Sequence, residues 1–197
     1  WSPDGTKLAS AADDNTIKIW DAQTGTELQT LTGHSNSVHS VVWSPDGTKL
    51  ASAADDNTIK IWDAQTGTEL QTLTGHSNSV HSVVWSPDGT KLASGSWELK
   101  IWNAQTGTEL QTLTGHRSRI WSVVWSPDGT KLASGSYDKT IKIWKRESIF
   151  SHDENNEKSE KTEPSGQLVT AEPTDWLFYT GALAGLCFIG YKLFFNK

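Results

Sequence analysis

The chain of 197 residues has no methionine, a single cysteine and no excess of basic residues. Cys187 on its own cannot form an intrachain disulfide, and one thiol cannot build a thiolate metal cluster. The formal net charge of -6 argues against a nucleic-acid partner, because binding to a phosphate backbone requires a basic surface. We therefore exclude a disulfide-stapled fold and expect no nucleic acid among the partners.

Patterns typical of catalysis are missing as well. The sequence contains no glycine-rich phosphate loop, no Ser-His-Asp order and no paired carboxylates in an asymmetric setting. His34 and His39, like His76 and His81, are separated by five positions, a spacing without a metal-ligand signature. We accordingly expect no enzyme activity, no cofactor and no metal site.

What the sequence does contain is an internal repeat with a period of 42 residues. Residues 1–42 and 43–84 are identical, a third copy covers 85–124 with two residues deleted, and a fourth begins at Trp125. Runs of β-branched or alternating apolar residues, such as 58–62, 69–74, 79–85 and 91–96, are separated by the turn sequences Ser-Pro-Asp-Gly-Thr and Ala-Gln-Thr-Gly-Thr. Each copy predicts four short antiparallel strands, and no helical periodicity occurs between them.

Gly-His pairs at 33–34, 75–76 and 115–116, together with Ile-Trp-Asp at 61–63, recur within this period. They resemble the WD-repeat β-propeller family, in particular the highly repetitive propellers of filamentous bacteria such as cyanobacteria. The resemblance covers residues 1–144 and implies an all-β fold of four propeller blades, of which the two outer ones are incomplete. It also implies that the C-terminal edge is genuine, and that missing upstream blades or a second copy of the chain complete the ring.

The resemblance further implies a structural tetrad in each blade, in which His, Ser, Asp and Trp side chains form a buried hydrogen-bond network. The first blade has only Ser10, Asp14 and Trp20. In the third blade the shortened turn has lost its Asp and Glu98 is a poor replacement, so we expect this blade to be the weakest. The residues of the other three blades are His34, Ser52, Asp56 and Trp62; His76, Ser94 and Trp102; and His116, Ser134, Asp138 and Trp144.

Differences between the copies are concentrated in two loops that lie on one rim of a WD-repeat propeller. Trp, Tyr and Arg, which are frequent among the new residues, are the types enriched at binding hot spots. We expect the third and fourth blades to share a protein-binding patch on this rim; drift in exposed loops is the alternative. The candidate residues are Trp97, Arg117, Arg119, Trp121, Tyr137 and Lys139.

The composition changes after the last repeat. Residues 145–175 are rich in Asp, Glu, Lys, Ser and Asn and predict an acidic disordered linker. Residues 176–195 carry one charged side chain and are long enough to cross a bilayer, so they predict a transmembrane helix in contact with lipid. Gly181 and Gly185 are spaced for helix dimerisation. An apolar helix packed on the propeller is the alternative.

These features together predict a single-pass membrane protein. Its layout resembles that of a tail-anchored protein, which would keep the propeller on the cytoplasmic side. The lysines flanking the span give the positive-inside rule no majority, and a signal peptide upstream would reverse the orientation. We expect a protein–protein interaction scaffold or sensor that contacts an unidentified protein partner through its rim. The alternative is a structural repeat segment that forms homo-oligomers at the membrane without a dedicated ligand.

Overall fold

The computed structural model describes residues 1–145 and the backbone of residues 167–169. These residues form fifteen short strands and no helix. The strands make four antiparallel sheets, in the orders β1-β2-β3, β4-β5-β6-β7, β8-β9-β10-β11 and β12-β13-β14-β15, which are the four blades. The bounds are β1 Lys7–Ala11, β2 Ile17–Asp21, β3 Glu27–Leu31, β4 Val38–Trp43, β5 Lys49–Ala54, β6 Ile59–Asp63, β7 Glu69–Leu73, β8 Ser82–Trp85, β9 Lys91–Gly95, β10 Leu99–Asn103, β11 Glu109–Leu113, β12 Ile120–Trp125, β13 Lys131–Ser136, β14 Ile141–Lys145 and β15 Gln167–Val169.

The turn between β4 and β5 shows why the repeated Ser-Pro-Asp-Gly-Thr sequence reverses the chain. The Ser44 hydroxyl donates to Asp46 Oδ1 at 2.6 Å, and the backbone N–H of Thr48 donates to the same oxygen at 3.0 Å. These hydrogen bonds, with a further one from the Thr48 hydroxyl, lower the pKa of Asp46 to about 2. Gly47 has a φ of 72°, which glycine adopts without steric cost. The turn therefore fixes the strand register through local bonds that each copy can repeat.

The hydrophobic core lies between successive blades. Ile59 and Ile61 of the second blade pack in one cluster with Val80, Val83 and Trp85 of the third. Equivalent clusters join the first blade to the second and the third to the fourth. The first strands β4, β8 and β12 contact one another in turn, which places them on the inner side of the row of blades. Burial of apolar surface between neighbouring copies is therefore the main stabilisation of the fold.

Residues of the first and fourth blades, at the two ends of this row, are more exposed than the equivalent residues of the second blade. Ile59 is 0% exposed, whereas Ile141, its equivalent in the fourth copy, is 46% exposed. Val124 on the fourth blade is also exposed. At the other end, Trp20 is only half-buried, although its equivalent Trp62 is fully buried. Identical residues thus have different surroundings depending on which blade neighbours them.

The fourth blade departs from the sequence prediction. Strand β15 pairs antiparallel with β14, with Ile141 opposite Val169, so this blade has four strands and the first blade alone has three. The prediction that both outer blades are incomplete is wrong for the fourth. Strand β15 also lies inside the range 145–175 that predicts a disordered linker. Pairing satisfies N–H and C=O groups along β14 that would otherwise form an open sheet edge, a requirement that the repeat pattern does not reveal.

The described residues include no helix that is both long and apolar enough to span a bilayer. The transmembrane helix expected at 176–195, with Gly181 and Gly185, lies outside the described residues and stays a prediction. The same holds for the linker apart from its short strand.

Candidate functional site

A buried hydrogen-bond network lies beneath the rim loop of the second blade. Trp62 Nε1–H donates to Ser52 Oγ at 2.8 Å, and Ser52 Oγ lies 2.7 Å from His34 Nε2. The other imidazole nitrogen, Nδ1, lies 2.8 Å from Asp56 Oδ2. Since the carboxylate can only accept, His34 Nδ1–H donates to it. In a neutral imidazole with its proton on Nδ1, Nε2 accepts from the Ser52 hydroxyl, and every member of the network is then paired.

Electrostatics agrees with this assignment. Burial lowers the pKa of His34, and the neighbouring Asp56 only partly offsets the effect. Burial would raise the pKa of Asp56, but hydrogen bonds from Thr58, His34 and Ser35 outweigh it and lower this pKa. Asp56 therefore stays ionised and ties both rim loops of the blade together.

The same arrangement recurs in the fourth blade and, with one change, in the third. His116 Nδ1 lies 2.8 Å from Asp138 Oδ2. In the third blade His76 Nδ1 lies 3.0 Å from Glu98 Oε1, because the longer side chain reaches across the shortened turn. The interpretation of Glu98 as a poor replacement is therefore wrong for the histidine–carboxylate bond, because Glu98 makes this bond. The remaining members contact one another through His76–Ser94, Trp102–Ser94, His116–Ser134 and Trp144–Ser134 hydrogen bonds.

The glycine of each Gly-His pair allows the imidazole and indole to approach. Gly33 has a φ of 154°, and a Cβ atom there would lie 3.1 Å from the Trp62 ring. A larger residue would push the indole away from Ser52. The Gly-His motif therefore belongs to the tetrad and is not available as a separate site.

Above the tetrads, a row of aromatic rings crosses the second, third and fourth blades. The ring centroids of His39 and His81 are 5.1 Å apart, and His81 stacks on Trp121 at 4.2 Å with an interplanar angle of 25°. Trp121 is in turn 6.2 Å from Tyr137. We call His39, His81, Trp121 and Tyr137 the rim row. Its first three members occupy the same position in successive copies.

The tetrad of the fourth blade holds the rim row in place. The Arg117 backbone N–H donates to Asp138 Oδ2 at 2.9 Å. The Tyr137 backbone N–H donates to the carbonyl of Arg119 at 2.9 Å. Both rim loops of this blade are thereby fixed to each other and to a buried carboxylate, so the exposed rings stand on a rigid base.

The structure brings only some of the candidate rim residues into contact. Trp121 is 41% exposed and Tyr137 is 64% exposed, and the two rings are neighbours. Trp97 is exposed but makes no ring contact with them among the described residues. Arg117, Arg119 and Lys139 are exposed. Sequence analysis did not select His39 and His81, although their shared position with Trp121 was a signal that could have identified them.

Lys139 has an unusual backbone conformation. Its φ is 67°, and the equivalent residues of the first two copies, with φ of 71° and 67°, are Asn15 and Asn57. Asparagine tolerates the left-handed region far better than lysine does. The fourth copy therefore carries a lysine on the rim at a conformational cost.

Two members of the rim row, His39 and His81, form with Asp55 a group of residue types that bind metal ions. One ligand atom of each lies within 4.8 Å of the others. His39 Nε2 is 2.6 Å from Asp55 Oδ1. The spacing of histidines within one copy does not reveal this group, because His39 and His81 come from neighbouring copies.

Four sheets of repeated sequence, joined face to face and each built on the same Trp–Ser pairing, define a WD-repeat β-propeller. The family model described as the WDR19 first beta-propeller matches residues 1–169, and this chain belongs to that family. The match extends beyond residue 144 to the end of β15, in agreement with the four-stranded last blade. A propeller of this kind is in general a scaffold for protein–protein interactions.

Proposed function

We propose that this chain is a scaffold that binds a protein partner through the rim row. The observation that supports it is the exposed Trp121 ring, already stacked on His81 and adjacent to Tyr137. Rings held in place before binding lose little conformational entropy when a partner covers them. Trp and Tyr are also among the residue types that dominate binding energy at interfaces.

The charges around the rim row indicate the chemistry of the partner. Arg117, Arg119 and Lys139 are exposed and lie within four positions of Trp121 or Tyr137 in the sequence, although the whole chain has a formal net charge of -6. A local positive patch on an acidic protein favours a partner surface with acidic side chains around an apolar contact. The strained backbone of Lys139 supports this, since strain at a surface residue is typical of functional positions.

We further propose that the chain binds without catalysis. A cleft of about 650 Å³ lies between the second and third blades, away from the rim residues, and its lining includes Lys49, Trp85 and Asn103. No carboxylate or imidazole is among its lining residues. A cleft without an acid–base pair lacks the groups that most hydrolytic and transfer reactions need.

The attachment to a membrane is part of the proposal and rests on sequence. Residues 176–191 carry no charged side chain, and the run continues to residue 195 with only one. As a single-pass helix this segment would present the propeller at the membrane surface. The scaffold would then recruit its partner to the bilayer.

The test compares Trp121→Ala with Leu70→Ala in quantitative affinity capture from extracts of the source cells. Leu70 is a suitable control because it is 47% exposed but lies on β7, away from the rim row. We expect a defined set of proteins to be retained by the Leu70 variant and to fall by about tenfold or more with the Trp121 variant, since hot-spot truncation costs about 2 kcal/mol or more. Unfolding midpoints of both variants verify that the blades stay intact.

The alternative, self-assembly without a dedicated ligand, is supported by the exposed apolar face of the fourth blade. Ile141 and Val124 on this face would be covered by the first blade of a second copy. Under this alternative the two variants capture the same proteins, and sedimentation of the full chain gives a discrete oligomer. That result would contradict the rim-binding proposal.

A further inference from the structure

The junction of the second and third blades brings three metal-binding side chains together. The ligand atoms of His39, Asp55 and His81 lie within 4.8 Å of one another. Ligands of a tetrahedral zinc ion, with bonds of about 2.0–2.2 Å, are separated by about 3.3–3.5 Å. The short His39–Asp55 contact must open slightly and His81 must approach, which side-chain rotations can supply. We propose that these three residues bind one divalent transition metal ion of the zinc class.

A second observation points to the same site. His81 is 7% exposed, and its Nδ1 atom is buried without a hydrogen-bond partner among the described residues. A buried polar nitrogen without a partner is costly, and native proteins rarely leave one unsatisfied. One nitrogen of the same imidazole belongs to the three-residue group, so a bound ion would give this buried ring a partner.

The types of the donor atoms indicate which class of ion the site would take. Two imidazoles and one carboxylate favour zinc-class ions over magnesium or calcium, which prefer oxygen ligands alone.

The next junction provides an internal comparison. The positions of His39, Asp55 and His81 are occupied there by His81, Trp97 and Trp121. Only one of these three side chains is a strong metal ligand, so the substitutions that create aromatic residues on the rim also remove a second donor set. We therefore expect one ion for each chain at this rim, bound between the second and third blades.

A metal ion at this position would link two blades directly beside the stack of His81 on Trp121. Its binding to the folded state would stabilise the junction by an amount that grows with the logarithm of the free metal concentration above the dissociation constant. This inference does not depend on the proposed partner binding, because it rests on residues that the two identical copies contribute.

The test is zinc titration of the untagged, chelator-treated full chain by isothermal titration calorimetry. We expect one ion per chain, bound at least about tenfold more weakly in His39→Ala, Asp55→Asn and His81→Gln, since changes to outer-shell partners alone cost that much. His39 and Asp55 are partly exposed, so their variants stay folded even if the buried His81 variant does not. The cobalt(II) absorption spectrum provides an independent readout of nitrogen ligation in each variant.

Two control variants sharpen the result. Asp13→Asn removes the same carboxylate from the same turn sequence one copy earlier and should leave zinc binding unchanged. Arg119→Ala removes a positive charge that acts on His81 and should not weaken binding. The proposal is overturned if no stoichiometric zinc binding occurs, if His39→Ala binds as well as the wild type, or if His152→Ala abolishes binding instead.

Discussion

The tetrads and the rim row are built on the same loops, yet the tetrad is repeated from copy to copy whereas the rim residues change. The tetrad of the fourth blade repeats that of the second with His–carboxylate distances of 2.8 Å in both. Across the rim row, the same position is His39, His81 and then Trp121. A buried polar atom without a partner costs free energy, so a change in one tetrad member is destabilising because it leaves the other members unsatisfied. Exposed rings leave no buried polar atom unpaired when they are replaced. Substitution at these positions can therefore change what the surface binds without a large loss of stability.

The first and second copies extend this comparison, because their sequences are identical and their surroundings differ. Ser52 is fully buried between His34 and Trp62, whereas Ser10 bonds only the half-buried Trp20. The value of a tetrad thus depends on the neighbouring copy that supplies the histidine and covers the network. One motif has a different energetic weight in each blade.

The largest effect should come from Ser52→Ala, which leaves the Trp62 N–H and the His34 Nε2 without partners in a buried site. Each buried unsatisfied group costs about 1–3 kcal/mol, so the free energy of unfolding should fall by about 2–4 kcal/mol. The matched change Ser10→Ala, in an identical local sequence, should cost less than about 1 kcal/mol. Urea denaturation of both variants measures the difference, and equal losses would show that burial does not set the weight of the motif.

A smaller effect should distinguish the two acids of the second and third blades. The Asp56 carboxylate accepts bonds from His34, Ser35 and Thr58, whereas the Glu98 carboxylate accepts a bond from His76 alone among the described residues. Bonds to charged groups contribute about 1.5–3 kcal/mol, so Asp56→Asn should lower the free energy of unfolding by about that amount. Glu98→Gln should cost about 1 kcal/mol or less.

Thermal and urea unfolding of the two isosteric variants provide the measurement. A larger loss for Glu98→Gln would mean that the shortened turn of the third blade depends on its acid more than the longer turns do. That result would reverse the order of the two blades deduced from their hydrogen bonds.

Much of the fold could be predicted from sequence because every copy repeats the same strand and turn residues. Turn sequences such as Ser44 to Thr48 close through local hydrogen bonds, so the strand order follows from them. Strand β15 could not be predicted, since its pairing with β14 depends on an open edge and not on a repeated pattern. The prediction for the third blade underestimated Glu98, because the reach of a longer side chain across a shorter turn is a matter of geometry.

The candidate site was predictable only in part for a related reason. Trp121 and Tyr137 differ from the repeat and are visible by comparing the copies. His39 and His81 are identical in their copies, and only the packing of adjacent blades brings their rings to 5.1 Å. A site formed between copies therefore has the spacing of the repeat itself, here 42 residues, and short ligand motifs cannot detect it.

The smallest expected effect concerns Lys139, whose left-handed backbone conformation should lower the stability of the fourth blade. Lys139→Asn restores the residue that the first two copies place at a φ near 70°, and it should raise the free energy of unfolding by about 0.5–1 kcal/mol. The reciprocal change Asn57→Lys in the second blade should lower it by a similar amount. Urea denaturation measures both. If Lys139→Asn is stabilising but weakens partner capture, the lysine is retained for binding in spite of its strain; if it changes neither, the fourth rim loop is no more specialised than the loops it was copied from.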